Sequence, residues 1–199
     1  IDEELSTPFQ SYQSLQYINN HIPHIPIAVK GLNDSTLYTI STSNWQPYTW
    51  SLNNVALSEI LHTSLAYWQG GSAEEAFVLW KSAMMESMFL GSSPGSFIQL
   101  SFYDAIRGEL YRDFADPIGM VGRSLVEGLF GIVPDVLHNK LAITPGFPEQ
   151  WNFAKLSTPD MYVDFKRNGL NDQYTIHQHI KQSLLLQLNI PVYRDGTTQ

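Results

Sequence analysis

The sequence predicts a mainly α chain with a β C-terminal part, helical hairpins giving way to an antiparallel sheet. Three observations carry this. Apolar residues recur at helical spacing in three segments before residue 131. Beyond Gly131 the apolar period drops to two. Asn168-Gly169, between two alternating runs, has the composition of a hairpin turn.

A first, weaker helix is expected over about 11–20. A stronger one runs from about Leu52 to Gln69, with Ser51 as N-cap, Val55, Leu57, Ile60, Leu61, Leu65 and Trp68 on its apolar face, and Gly70-Gly71 as its stop. The next runs from about Ala73 to Phe89, and Ser72 with Glu75 spells a capping box. Its apolar set includes Ala76, Phe77, Leu79, Trp80, Ala83, Met84 and Met88. The last runs from about Pro117 to Phe130, capped by Asp116 and closed by Gly131, and Gly119 and Gly122 would let a neighbouring backbone come close.

The connections say more than the helices. A Gly-Gly link makes the middle two helices an antiparallel hairpin, whereas about 27 residues, Leu90 to Asp116, separate the second of them from the last. So long a connection is uncommon unless it has a function of its own. It shares an end of the hairpin with residues 41–50, so that end is the expected working face. Leu141 and Ile143 begin the β pattern. Met161, Val163, Phe165, Tyr174 and Ile176 continue it, followed by Leu184, Leu186, Leu188 and Ile190. The parts divide as residues 1–137 and 138–199.

Composition narrows the function. Charged residues are only 15% against 43% hydrophobic, with 10 Tyr, 10 Phe and 5 Trp. That balance suits a partner held by hydrogen bonds and flat apolar contacts, such as a sugar, although a large aromatic core would explain it equally. The net charge of −8 argues against nucleic acid and anionic membranes. Without cysteine, disulfides, thiolate catalysis and Cys-ligated zinc are excluded. No apolar run reaches the roughly 18 residues of a membrane span. The chain begins at Ile1, so a preceding part of the polypeptide is expected, and that missing part or a second copy is the expected partner.

Within the long connection, Tyr103, Ile106, Leu110 and Phe114 have helical spacing, which predicts a short embedded helix. Glu109 and Asp113 would share a face, with Arg112 beside them and Asp116 beyond. Glycoside cleavage needs one carboxyl to protonate the leaving oxygen and another to activate water or attack, so Glu109, Asp113 and Asp116 are the catalytic candidates. Ordinary ion pairs on a solvated helix, and a cap at Asp116, account for the same residues. Trp45, Gln46, Tyr48, Trp50 and Asn53 offer flat platforms and amide partners for a sugar, with Arg112 a further contact. A core-plugging role for the tryptophans competes with this.

Other motifs are weak. His177-x-His179 supplies two ligands without a third, so no metal or cofactor is expected. Gly119-x-x-Gly122 lacks the Lys-Ser/Thr of a phosphate loop, and there is no G-x-S-x-G elbow. Asn33-Asp34-Ser35 matches a glycosylation sequon.

Residues 125–135, LVEGLFGIVPD, and 141–151, LAITPGFPEQW, form a GLFGI-x-PD … L-x-I-x-P-x-x-P-x-x-W pattern. Together with Ser43-Asn44-Trp45 and the stretch 48–54, it resembles the C-terminal part of the six-hairpin (α/α)6-barrel glycosidase superfamily. Within it the chain looks closest to a Bacteroidetes-type subgroup related to α-L-rhamnosidases and α-fucosidases. The resemblance covers about 150 residues. It implies a partial (α/α)6 toroid followed by an antiparallel β-sandwich, and a periplasmic or secreted bacterial glycoside hydrolase acting on a plant or host glycan, with the cytoplasm left open. A catalytically silent carbohydrate-binding relative and a helical interaction module are the alternatives. Rhamnosidase-type members carry their catalytic Glu in a G-x-T-x-x-W-E-like segment, whereas Pro94 to Asp116 occupies that region here.

Overall fold

The computed structural model describes residues 7–28, 31–43, 54–90, 102–104, 110–111, 116–191, 193–194 and 197–198. The chain divides into two compact units, residues 1–124 and 125–199.

The first unit opens with helix α1 (Pro8–His21), whose start is a capping box missed in the sequence. The Gln10 N–H donates to the Thr7 hydroxyl at 3.2 Å, and the Thr7 N–H donates to Gln10 Oε1 at 2.9 Å. Strands β1 (His24–Pro26) and β2 (Tyr38–Ile40) pair antiparallel, Ile25 opposite Thr39. Strand β3 (Asn54–Ala56) leads directly into α2 (Leu57–Gln69). The next helix, α3 (Ala73–Met84), continues as a π-helical stretch, Met85–Leu90. Strands β4 (Phe102–Asp104) and β5 (Leu110–Tyr111) join β3 in an antiparallel sheet of order β3-β4-β5. The last helix, α4 (Asp116–Arg123), is followed by a π-helical stretch, Ser124–Leu129.

Burial along α2 follows the helical period: Leu57, Ile60, Leu61, Ser64, Leu65 and Trp68 are all buried. These residues, with Val55 below and Ala76, Leu79 and Ala83 from α3, make the core of the unit. The α2–α3 turn is as tight as its glycines predict, but the expected capping box at Ser72 and Glu75 does not form. The Ser72 N–H is already given to the Tyr67 carbonyl at 2.9 Å, which leaves Glu75 no donor to reach back to, and the Ser72 side chain makes no capping bond. The Tyr67 hydroxyl donates to Asn19 Oδ1 at 2.5 Å, tying α1 to α2. Burial, then the nearby Tyr38 and Glu75, pushes its pKa up to about 12.

At the turn before β2, Asp34 accepts from Lys81 Nζ at 2.7 Å, from the Thr36 hydroxyl at 2.5 Å and from the Thr36 N–H at 3.1 Å. The Lys81 bond foremost, then the Thr36 bonds, pulls its pKa from 3.8 to about 2. The folded value lies below the unfolded one, so this group's stabilisation is complete above about pH 4 and lost as pH falls toward 2. Thermal melts of Asp34→Asn are therefore expected to show a shallower decline than wild type between pH 4 and pH 2. Parallel curves would remove the ion pair from the account of acid sensitivity.

The second unit contains β6 (Ile132–Asp135), a 3₁₀ turn (Val136–His138), β7 (Lys140–Ile143), β8 (Phe153–Ser157), β9 (Met161–Asn168), β10 (Asn171–Gln178), β11 (Leu185–Leu188), β12 (Tyr193–Arg194) and β13 (Thr197–Thr198). Its sheets have the orders β10-β9-β8, β11-β7-β6 and β12-β13. Asn168 pairs with Asn171, so Gly169 and Leu170 are the two turn residues, with Gly169 at φ 60°. Glycine in the first central position is the composition of a two-residue II′ hairpin. The inward residues Met161, Val163 and Phe165 are buried as the alternation predicts. Phe165 stacks on Phe147 with centroids 4.7 Å apart, and Phe147 meets Phe130 edge-on at 5.1 Å, so an aromatic chain forms this core.

The fold class drawn from the sequence is overturned. The chain is not a mainly α partial (α/α)6 toroid followed by a β-sandwich. Among the described residues there are four α-helices, and strands in small sheets take up about as many residues as those helices do. A toroid needs repeated long helical hairpins, and α2–α3 is the single tight one described. The helix expected from about Leu52 begins instead at Leu57, and residues 54–56 pair with 102–104 as strands. The embedded helix expected over residues 103–114 is replaced at its described positions by β4 and β5. In the second unit β11 runs parallel to β7, and Leu185, Leu186 and Leu188 are exposed instead of lining a sandwich interior. The close approach expected at Gly119 and Gly122 is also absent among the described residues, since a Cβ at either would meet nothing within 4 Å.

Candidate functional site

The sequence-predicted residues Trp45, Gln46, Tyr48, Trp50, Asn53, Glu109, Arg112 and Asp113 lie outside the described residues. Asp116 is the first residue of α4, and its side chain is likewise outside them. Their flanks, however, are well defined. The Thr42 N–H donates to the Asn54 carbonyl at 2.8 Å, and the Asn54 N–H donates to Thr42 Oγ1 at 3.3 Å. This reciprocal pair makes a neck between the two ends of the aromatic segment. Asn54 is buried at 2% exposure, whereas Thr42 is exposed, so the neck runs from the surface into the unit.

In the β3-β4-β5 sheet Asn54 pairs with Asp104, and Tyr103 pairs with Leu110. Leu110 and Tyr111 are strand residues, so the helix expected to put Glu109 and Asp113 on one face does not form at them.

Beside the neck lies a cavity of about 190 Å³. Tyr17 and Ile18 of α1, with Ile22 just after it, form one wall, and Ile40, Ser41 and Thr42 at the end of β2 form another. Ala56 at the end of β3, with Glu59, Ile60 and Thr63 of α2, completes the lining. Helical spacing explains the last three: positions 59, 60 and 63 share one side of α2. The Tyr17 ring stacks on His21 at 4.5 Å and 9°. Ser58 Oγ donates to Glu59 Oε2 at 2.8 Å, and Thr63 Oγ1 donates to the Glu59 carbonyl at 2.8 Å. The result is a small concavity of isoleucine walls with hydroxyls and one carboxylate at its edge, suited to a ligand that is apolar on its faces and hydroxylated at its rim. Sequence reasoning missed it because its residues come from four elements and form no local motif.

A second cavity, about 320 Å³, lies within the second unit beside Arg167, Asp172, Leu170 and Pro191. Its arginine is engaged structurally. Arg167 Nε and Nη2 each donate to Asp172 at 2.8 Å, and Nη1 donates to the Glu149 carbonyl at 2.6 Å. His177 lies 5.7 Å from the Tyr162 ring, and no cluster of three His, Asp or Glu suited to a metal occurs among the described residues. No helix of the described residues is long and apolar enough to cross a membrane.

No family model matches the chain, and neither the curated proteins nor the solved structures contain a match to it.

Proposed function

We propose that the first unit binds a carbohydrate, as part of a protein acting on a plant or host glycan. The observation that carries this reading is the cavity of isoleucine walls and hydroxyls, with the Thr42–Asn54 pair beside it. Sugar rings present apolar faces and a hydroxyl rim, and aromatic side chains are their usual platforms. The toroid has no part in the proposal. Hydrolysis is the second reading, favoured by the Glu59 carboxylate at the edge of the cavity. Cleavage needs two carboxyl groups, and Glu59 is the one lining the cavity among the described residues.

Glycan-array binding tests the first reading. The chain is expected to retain saccharides, and Thr63→Phe, which fills the cavity from α2, is expected to abolish retention at unchanged Tm. No retention by the wild type, or full retention by Thr63→Phe, would sink it. The hydrolytic reading requires activity that falls at least about 10²-fold in Glu109→Ala, Asp113→Ala or Asp116→Ala. Turnover that survives all three removes these residues as catalysts.

A further inference from the structure

We infer that the cavity between α1 and α2 selects its saccharide by charge, with Glu59 rejecting acidic sugars and admitting neutral and amino sugars; this rests on the carbohydrate reading of the same cavity. Of the described residues lining it, Glu59 alone carries a full charge, and among them there is neither lysine nor arginine. Glu59 is exposed and so stands at the rim, where an entering ligand meets it.

The hydrogen-bond inventory points the same way. Ser41 Oγ spends its proton on the Ser43 carbonyl at 2.5 Å, and Thr63 Oγ1 spends its own on the Glu59 carbonyl at 2.8 Å. Both hydroxyls therefore face a ligand as acceptors. The Glu59 carboxylate accepts only, and Ser58 already occupies Oε2 at 2.8 Å. Thr42 Oγ1 accepts the Asn54 N–H, which leaves its own proton for the ligand. Beside the Tyr17 and Thr42 hydroxyls, the edge offers Ser41, Thr63 and the Glu59 carboxylate as acceptors, which a ligand with several O–H or N–H donors complements. A uronate or phosphorylated sugar brings acceptors and a like charge to that edge, and the chain's net −8 adds repulsion of the same sign.

Glu59 also sits in the first turn of α2, where a carboxylate is favourable to the helix dipole. That role predicts a stability change for Glu59→Gln but no change in ligand preference, so selectivity is the deciding readout.

The experiment measures binding of the full chain, and of Glu59→Gln, to matched neutral, 2-amino and uronate sugars of the gluco, galacto and manno series. For whichever series binds, the uronate is expected to bind the wild type about tenfold more weakly than its neutral partner. In Glu59→Gln the ratio of neutral-sugar to uronate affinity is expected to close to within about twofold, whatever the neutral sugar's own affinity becomes. Uronates that bind the wild type as well as neutral sugars do, or a gap unchanged in Glu59→Gln, would overturn the charge filter and leave the carbohydrate reading standing. Absence of binding across all three series overturns both.

Discussion

Gly131→Ala is expected to destabilise the second unit by roughly 3–5 kcal/mol, with Gly119→Ala moving slightly the other way. Gly131 holds φ 65°, and a Cβ there would lie 1.9 Å from the Thr144 carbonyl oxygen and 2.2 Å from its carbon. Those are backbone atoms and cannot rotate aside. The same Thr144 donates its N–H to the Gly131 carbonyl at 2.9 Å, just beyond the Ile132–Ile143 pair that ends the β6–β7 ladder. Room for a methyl group therefore requires β6 and β7 to part at that end, on top of the strain of a left-handed backbone. Gly119 lies within α4 with open space at its Cβ position, so alanine there adds helix propensity without a clash. Equilibrium urea unfolding of the full chain, followed by tryptophan fluorescence and far-UV circular dichroism, measures both. A Gly131→Ala variant within about 1 kcal/mol of wild type would contradict the close contact.

Phe165→Ala is expected to cost about 3–5 kcal/mol, and Phe165→Leu distinctly less. Phe165 is fully buried, stacks on Phe147 at 4.7 Å, meets the tilted Tyr174 ring at 5.1 Å, and lies under the Arg167 guanidinium at 5.2 Å. Truncation to alanine leaves a cavity between the Phe147 and Tyr174 rings, whereas leucine refills most of the volume. The same unfolding experiment decides it. Equal losses for the two variants would mean that stacking geometry, not volume, dominates the site.

The parts of the fold legible in the sequence are those where one local signal meets no competitor. Leu57, Ile60, Leu61, Leu65 and Trp68 of α2 repeat at the helical period and are buried, and the Gly-Gly stop ends that helix where it should. Met161, Val163 and Phe165 alternate and face inward. Failures arose where two periods overlap or a partner lies far along the chain. Val55 fits the apolar register of α2, yet its backbone pairs with Tyr103, a contact across 48 positions that no window captures. Leu184 to Ile190 alternate as a half-buried strand would, but β11 pairs along only one described edge and its leucines remain exposed. Ser72 and Glu75 have the right letters for a capping box, and the preceding turn takes the amide it needs. Of the candidate site, the aromatic segment was visible as composition. The cavity was not, because Tyr17, Thr42 and Glu59 meet only through tertiary packing.

The parallel pairing of β11 with β7 also sets an order of assembly. Lys140 partners Leu185 across the intervening β8, β9 and β10, whereas β9 and β10 are joined by a two-residue turn. Closing the short hairpin costs little chain entropy and the long return costs more, so the hairpin forms early and β11 docks late. The strand that arrives last is also the most leucine-rich. Until it docks, the unit holds an unpaired edge, so refolding yield is expected to fall as protein concentration rises.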